Sequence, residues 1–378
     1  MAYFTNHKVY IPKFTTTEVA GVTFGGFEAC KYPCSQPNAT AAEGSPDVAH
    51  SGVAGSVPGI SRAGLPVWDY VIFPQAMIAC CNMGKGYHLT SAFERASLAF
   101  LAQKTATMPH GNNSNLDPPS DITFTSEIGM LDKHLHAEQP TYHRALPGTG
   151  PNTWAHNHMG SGVFDLNGLV WEWMLMMMST NGYARVPANL DVTYTGSPYG
   201  RGTITGSGGA APTLTCDGST VNWLKQWIAD EFNGLDIYIA EAGSGAGVLY
   251  SGIVDTTAST IVLANGAAPG DGVATFAVFR TIATDITTGM TTGNKILTLR
   301  NSDADLKAFG IPLTSDVTGS PVYGNDGFWY DKAAERAAVW GGSFNDALGA
   351  GVFALGLPYA PSISAANLYI GFRACKAL

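Results

Sequence analysis

The sequence predicts an α+β fold carrying a β-rich insertion, and three observations lead there. Apolar residues recur at helical spacing in two segments, 73–83 and 91–101. Between 190 and 283 the chain is instead rich in Thr, Gly, Ala and Val, with alternating runs at 192–195, 236–240 and 260–263. That alternation is the period of a half-buried strand. Finally, only 13% of residues are charged, against roughly 25% in an ordinary globular domain. With Gly 45 and Pro 21, this favours turns and long ordered loops over surface helix.

In chain order, residues 1–60 hold short β-like runs at 8–14 and 21–27, then a Pro/Ser/Ala/Gly-rich loop from 33 to 64. The 73–83 pattern sets Ala76, Met77, Cys80 and Cys81 on neighbouring turns, and Gly84-Lys85-Gly86 ends it. The second helix starts at Ser91, where S-x-x-E with Glu94 forms a capping box. Residues 104–160 show no periodicity and carry most of the nine histidines; such a length reads as a functional or scaffold-specific loop set. The dense apolar run VFDLNGLVWEW at 163–173 continues into MLMMMS. Within the β-rich stretch, 221–232 is an amphipathic helix with Trp223, Leu224, Trp227, Ile228 and Phe232 on one face. A short helix near 303–309, the run YGNDGFWYD at 323–331 and a Gly/Ala-rich tail to Leu378 complete the chain.

Bulk properties narrow the function. A hydrophobic share of 45% supplies a packed core and excludes wholesale disorder. The net charge of −9 argues against a nucleic-acid binder and an anionic membrane surface. The N-terminal MAYFTNHKVYIPKF lacks an uninterrupted apolar core and reads as no signal peptide, and 170–178, the most apolar stretch, is too short to span a bilayer. A soluble protein is expected, cytoplasmic or carried outside as part of a particle. Cys30 and Cys34 form a C-x3-C, Cys80 and Cys81 are adjacent, and Cys216 and Cys375 stand alone. No second pair has zinc-ligand spacing, so buried or locally bridged cysteines are expected.

Four segments taken together resemble the formylglycine-generating-enzyme branch of the C-type-lectin-like fold. They are VIFPQAMIACCNMGKGYHL (71–89) followed by SAFERASLAF, GVFDLNGLVWEW (162–173), VWGGSF (339–344) and IGFRAC (370–375). The second is similar to the family pattern G-x-x-D-x-x-G-N-V-W-E-W, the third to R-G-G-S-W and the fourth to the closing G-F-R. The resemblance covers about two thirds of the chain. It implies a C-type-lectin-like domain made of 1–190 and 285–378, interrupted by a β-rich inserted subdomain at 191–284.

Within that branch the chain is most similar to the variable proteins of diversity-generating retroelements, through the run from Asn325 to Ala374. In that family an error-prone reverse transcriptase replaces adenines, and the changes fall on surface positions of a rigid fold. Codons AAC and AAT then yield a set that excludes Lys, Glu, Gln and Met. Between Ser343 and Tyr369 there is no Lys, Glu, Gln, Met or Arg. The resemblance implies a variable region at about 337–373. Its candidate ligand-binding positions are Trp340, Ser343, Phe344, Asn345, Asp346, Leu348, Gly349, Gly356, Tyr359, Ile363, Ala365, Ala366, Asn367, Leu368 and Tyr369. Trp340, Phe344, Tyr359 and Tyr369 are the expected anchors, because aromatics carry disproportionate interface energy. The frame would be Gly341-Gly342, 350–355 and 370–373.

The expected function is therefore non-enzymatic recognition of a macromolecular ligand, most simply a protein, with no cofactor and no metal. The related oxidases carry two reactive cysteines shortly after R-G-G-S, whereas 343–369 contains none. The family implies a contact between Cys80 and Cys375, either bridged or as buried free thiols. Glu172, between two tryptophans, is expected to be a hydrogen-bonded hub, with the backbone of Gly341-Gly342 as a candidate partner. Calcium near the G-N-V-W-E-W pattern is disfavoured, since Leu169 stands where the family has Asn. Two alternatives stay open. One is a metal-dependent enzyme using His134, His136, His143, His156 and His158. The other is a structural tail or surface protein of a phage or bacterium.

Overall fold

The computed structural model describes residues 6–40, 57–114, 127–188, 199–206, 212–216, 232–241, 247–257, 259–263, 270–300, 306–357 and 366–378. Strands β1 (Lys8–Ile11) and β2 (Phe27–Cys30) pair antiparallel, with Lys8 opposite Cys30. The expected strand at 21–27 is instead mostly irregular, with an isolated bridge between Phe14 and Phe24, and only Phe27 belongs to a strand. Helix α1 (Phe73–Cys81), strand β3 (Tyr87–Leu89) and helix α2 (Ala92–Lys104) follow. The capping box forms as expected: Ser91 Oγ accepts from the Glu94 amide at 3.3 Å, and Glu94 accepts from the Ser91 amide at 2.8 Å. Inside the long loop set lies one six-residue helix, α3 (Lys133–Glu138), whose first turn Asp132 caps through the Leu135 amide.

Strand β4 (Trp171–Met178) is the axis of the molecule. Its odd residues Trp173, Leu175 and Met177 pack with Phe73, Met77 and Cys80 of α1. Its even residues Met174, Met176 and Met178 pack with Phe93, Ala96 and Phe100 of α2. Burial on both faces explains why WEWMLMMM reads as a continuous apolar run rather than an alternating one. The methionines are core.

Strand β5 (Tyr183–Pro187) lies beside β4. The β-rich stretch then supplies β6 (Tyr199–Thr205), β7 (Thr213–Cys216), β8 (Asp236–Glu241), β9 (Gly247–Tyr250), β10 (Ile253–Thr256), β11 (Thr260–Leu263) and β12 (Gly272–Asp285). The 14-residue β12 pairs with β5, β6 and β8, so the sheet of this stretch is continuous with that of β4. Period-2 alternation divides its side chains. Ala274, Phe276 and Val278 form a core with Ile237 and Ile239, while Ala277, Phe279 and Tyr238 turn toward α1. The expected helix at 221–232 lies outside the described residues apart from Phe232, which is buried in the first of these cores.

Strands β13 (Lys295–Leu299) and β14 (Pro312–Asp316) form a separate pair. The helix expected near 303–309 is a single 3₁₀ turn at Lys307–Phe309, residues 301–305 lying outside the description. The chain then returns to the main sheet with β15 (Phe328–Tyr330), β16 (Arg336–Trp340), β17 (Leu355–Leu357) and β18 (Ile370–Phe372). The order there is β5-β4-β16-β17-β15, with β18 parallel on β4. Strand β19 (Ala374–Lys376) joins β1, β2 and β3 in a small sheet. The described residues thus form a β-rich α+β fold, and none of their helices is long and apolar enough to cross a membrane.

A buried ion pair locks the C-terminal strands to β4. Arg373, fully buried, donates Nε to Glu172 at 3.0 Å and Nη2 to its second oxygen at 2.6 Å. Its guanidinium also donates to the carbonyls of Cys30 and Phe164 at 2.9 and 2.8 Å. Glu172 is a hub, but its partner is Arg373 rather than the Gly341-Gly342 backbone. Cys30, Cys34, Cys80, Cys81 and Cys375 are buried free thiols. Cys80 and Cys375 are therefore unbridged, and burial pushes the Cys80 thiol up to about 11.

Candidate binding site

Where β4, β15, β16, β17 and β18 meet, the sheet opens into a cavity of about 270 Å3 lined by Trp171, Trp329, Val339, Gly356, Ile370 and the loop residues around them. Register makes the opening. Trp329 lies opposite Gly356, and Gly356 opposite Val339, so a residue without a side chain sits between two that have them. The indole of Trp171 meets that of Trp329 edge-on, with centroids 5.4 Å apart and planes at 87°. Two perpendicular aromatic walls result.

The polar wall comes from the loop after β16. The Asp346 carboxylate accepts from the Ser343 amide at 2.6 Å and from Ser343 Oγ at 2.7 Å, folding the segment into a turn. The Trp171 side chain hydrogen-bonds it as well. Burial pushes the Asp346 carboxyl above its ordinary value, against the pull of these donors, and the described residues that line the cavity include no Lys, Arg or His. Asn345 is exposed, Asn367 half-buried, and both line the cavity.

Tyr369 closes the far side and is held from below. Its ring stacks on Phe344 (5.5 Å, 22°), its hydroxyl donates to Tyr142 at 2.8 Å, and its amide donates to Asn367 Oδ1 at 2.9 Å. Under them, buried Arg144 donates to Asp132 and Asp69 and to the Leu368 carbonyl at 2.9 Å. The histidine-rich loop set thereby anchors the C-terminal tail.

No family model and no curated protein matches the chain.

The cavity gathers six of the fifteen candidate positions: Ser343, Asn345, Asp346, Gly356, Asn367 and Tyr369. Leu348, Gly349 and Ala366 are half-buried, and a Cβ on Gly349 would come within 2.9 Å of Trp329. Tyr359, Ile363 and Ala365 lie outside the described residues. Trp340, Phe344 and Leu368 are buried and do not line the cavity. Trp340 in particular is not a displayed anchor, because strand alternation turns Val339 to the cavity and Trp340 into the α2 core. There its indole N–H donates to the Val352 carbonyl, and the ring lies against Gly310. Phe344 supports Tyr369 instead of meeting solvent.

The aromatic walls, Trp171 and Trp329, fall outside the expected set. Their signal was present in strand period: Trp171 shares a face with Trp173, and Trp329 alternates with Phe328 and Tyr330. The frame glycines carry physical constraints. Gly341 and Gly342 have φ of 96° and 79°, and a Cβ on Gly342 would stand 2.4 Å from that of Ala350. A Cβ on Gly351 would lie 1.8 Å from Asp326.

His156 and His158 are engaged individually. His156 Nδ1 accepts from the Val163 amide at 2.9 Å, and burial brings the ring down to about 4, so it is neutral at physiological pH. His158 Nε2 hydrogen-bonds the Met108 carbonyl at 3.0 Å. The side chains of His134 and His136 lie outside the description, and among the described residues no group of three His, Cys, Asp or Glu side chains is placed to hold a metal ion.

Proposed function

We propose that this chain recognises a macromolecular ligand, most simply a protein, through the cavity where β4, β15, β16, β17 and β18 meet and through its rim. The positions that vary would be supplied by a diversity-generating retroelement. The supporting observation is a partial separation: six of the positions expected to vary line one cavity, while Gly341, Gly342, Gly351, Phe353, Leu355 and Arg373 are buried in the frame. A surface that tolerates many side chains needs a support whose stability does not depend on them. The C-type-lectin-like fold, the inserted status of 191–284 and the absence of catalysis belong to this same reading.

Two experiments test it. In the source DNA, a non-coding copy of the codons for about 337–372, differing from the gene only at adenines and lying near a reverse transcriptase gene, is expected. Its absence reduces the chain to an ordinary binder. In the protein, a library randomised together at Asn345, Leu348, Asn367 and Tyr369 is expected to stay folded and to yield members that bind chosen target proteins. Collapse of most members would sink the reading.

A further inference from the structure

The cavity has a chemistry of its own. Its two indoles stand at 87°, forming a corner rather than a flat platform. A sugar ring stacks best on one open aromatic face, whereas a compact cation gains from several π faces turned toward it. Tyr369 supplies a third aromatic lining residue. The polar element at the same place is the Asp346 carboxylate, with hydrogen-bond donors Ser343 and Trp171, and no Lys, Arg or His is among the described residues that line the cavity. An acidic group set among aromatic walls without a counter-charge matches a ligand that brings the charge. The overall balance of −9 adds long-range attraction of the same sign.

We infer that the cavity takes the cationic end of an organic ligand, an ammonium or guanidinium group, held in the corner of Trp171 and Trp329 against Asp346. On a protein ligand this is the tip of a lysine or arginine side chain. The inference rests on the recognition reading above and adds the chemistry of the central contact.

Titration of the full chain with small probes, followed by tryptophan fluorescence and calorimetry, tests it. Tetramethylammonium and the N-acetyl methylamides of lysine and arginine are the cationic probes, and 3,3-dimethylbutan-1-ol is the neutral isostere. Saturable binding of at least one cation, at least tenfold tighter than the neutral alcohol, is expected. Preference among the three cations tells the lysine source from the arginine source and from a quaternary ammonium. Asp346→Asn is expected to lose at least tenfold in cation affinity. Because Asp346 also shapes the Ser343 turn, Trp329→Leu provides a second route: it keeps a smaller apolar wall but removes a π face, so cation binding drops by a larger factor than alcohol binding. Equal affinity for cation and alcohol, or full cation binding by a folded Trp329→Leu, overturns the inference. If either occurs while the randomised library still yields binders, the recognition reading stands and only the cation assignment falls.

Discussion

Val339 and Trp340 are neighbours on β16, yet they belong to different parts of the molecule. Val339 lines the cavity; Trp340 is buried against α2 with its N–H on the Val352 carbonyl. The same division runs through the C-terminal region. On one side is a rim of small and polar residues tied by local hydrogen bonds, such as Ser343 with Asp346 and Tyr369 with Asn367. On the other is a frame of glycines, aromatics and one buried ion pair. Adjacent residues can therefore answer to opposite demands, because a strand's pleat separates them by a full half-turn.

The strongest test of the frame is Arg373→Ala. It leaves Glu172 buried without its partner, which costs about 3–5 kcal/mol. It also orphans the Cys30 and Phe164 carbonyls, at about 1–3 kcal/mol each. Together these approach the whole stability of an ordinary domain, so the expected outcome is a chain that fails to fold at 37 °C. A cooperative melt close to wild type would show that the pair does not hold the frame. Next comes Trp340→Ala, expected to cost about 3–5 kcal/mol by denaturant titration, as for a large aromatic removed from a core. A loss below about 1 kcal/mol would return Trp340 to the rim.

A subtler boundary lies at Asp326, which accepts from the Phe353 amide at 2.7 Å and sits against Gly351. Burial lifts its carboxyl to about 7, opposed by that amide and by Arg95. A raised carboxyl favours folding when protonated. Its contribution is complete below the unfolded value of 3.8 and is lost as pH climbs through about 7. Asp165, also lifted to about 7 by burial, acts in the same direction. Asp326→Asn removes one of these titrations. Relative to wild type, the variant is expected to gain about 3 kcal/mol between pH 4.5 and pH 8. Parallel stability curves for the two proteins would refute the assignment.

How far the sequence foretold this division depends on the range of the interaction. Local signals translated well: the Ser91–Glu94 box, the helical spacing from 73 and the alternating runs at 236–240 and 260–263 all correspond to elements, while the run at 192–195 lies outside the described residues. The segment 162–173 and the closing GFR were recognised as important, but the pairing of Glu172 with Arg373 joins residues 201 apart in sequence. No spacing rule predicts such a partner. Trp340 was misplaced for a different reason. Codon arithmetic describes which residues a position can receive, not which way its side chain points, and the phase of β16 decides that. Trp171 and Trp329 lie outside the variable stretch, on strands that only sheet pairing brings beside it. Likewise Arg144 and Asp132, which look like solvated loop charges, are buried once the loop set folds under the tail.

The rim is where the smallest effects are expected, and they are the most discriminating. Asn345 is exposed, and Asn367 uses Oδ1 to accept from the Tyr369 amide, a local bond. Replacing both by Ala removes no core contact, so stability should change by no more than about 0.5 kcal/mol per site, the range of ordinary surface substitutions. The same double variant changes the cavity wall between Asp346 and Tyr369, so the fluorescence response of Trp171 and Trp329 to bound probes should shift even though the melt does not. A frame position cannot behave this way: at Trp340 or Gly342 any change of side chain is felt first as lost stability. If Asn345→Ala/Asn367→Ala cost as much as Trp340→Ala, rim and frame would be one cooperative unit, and the surface could not vary independently of the fold.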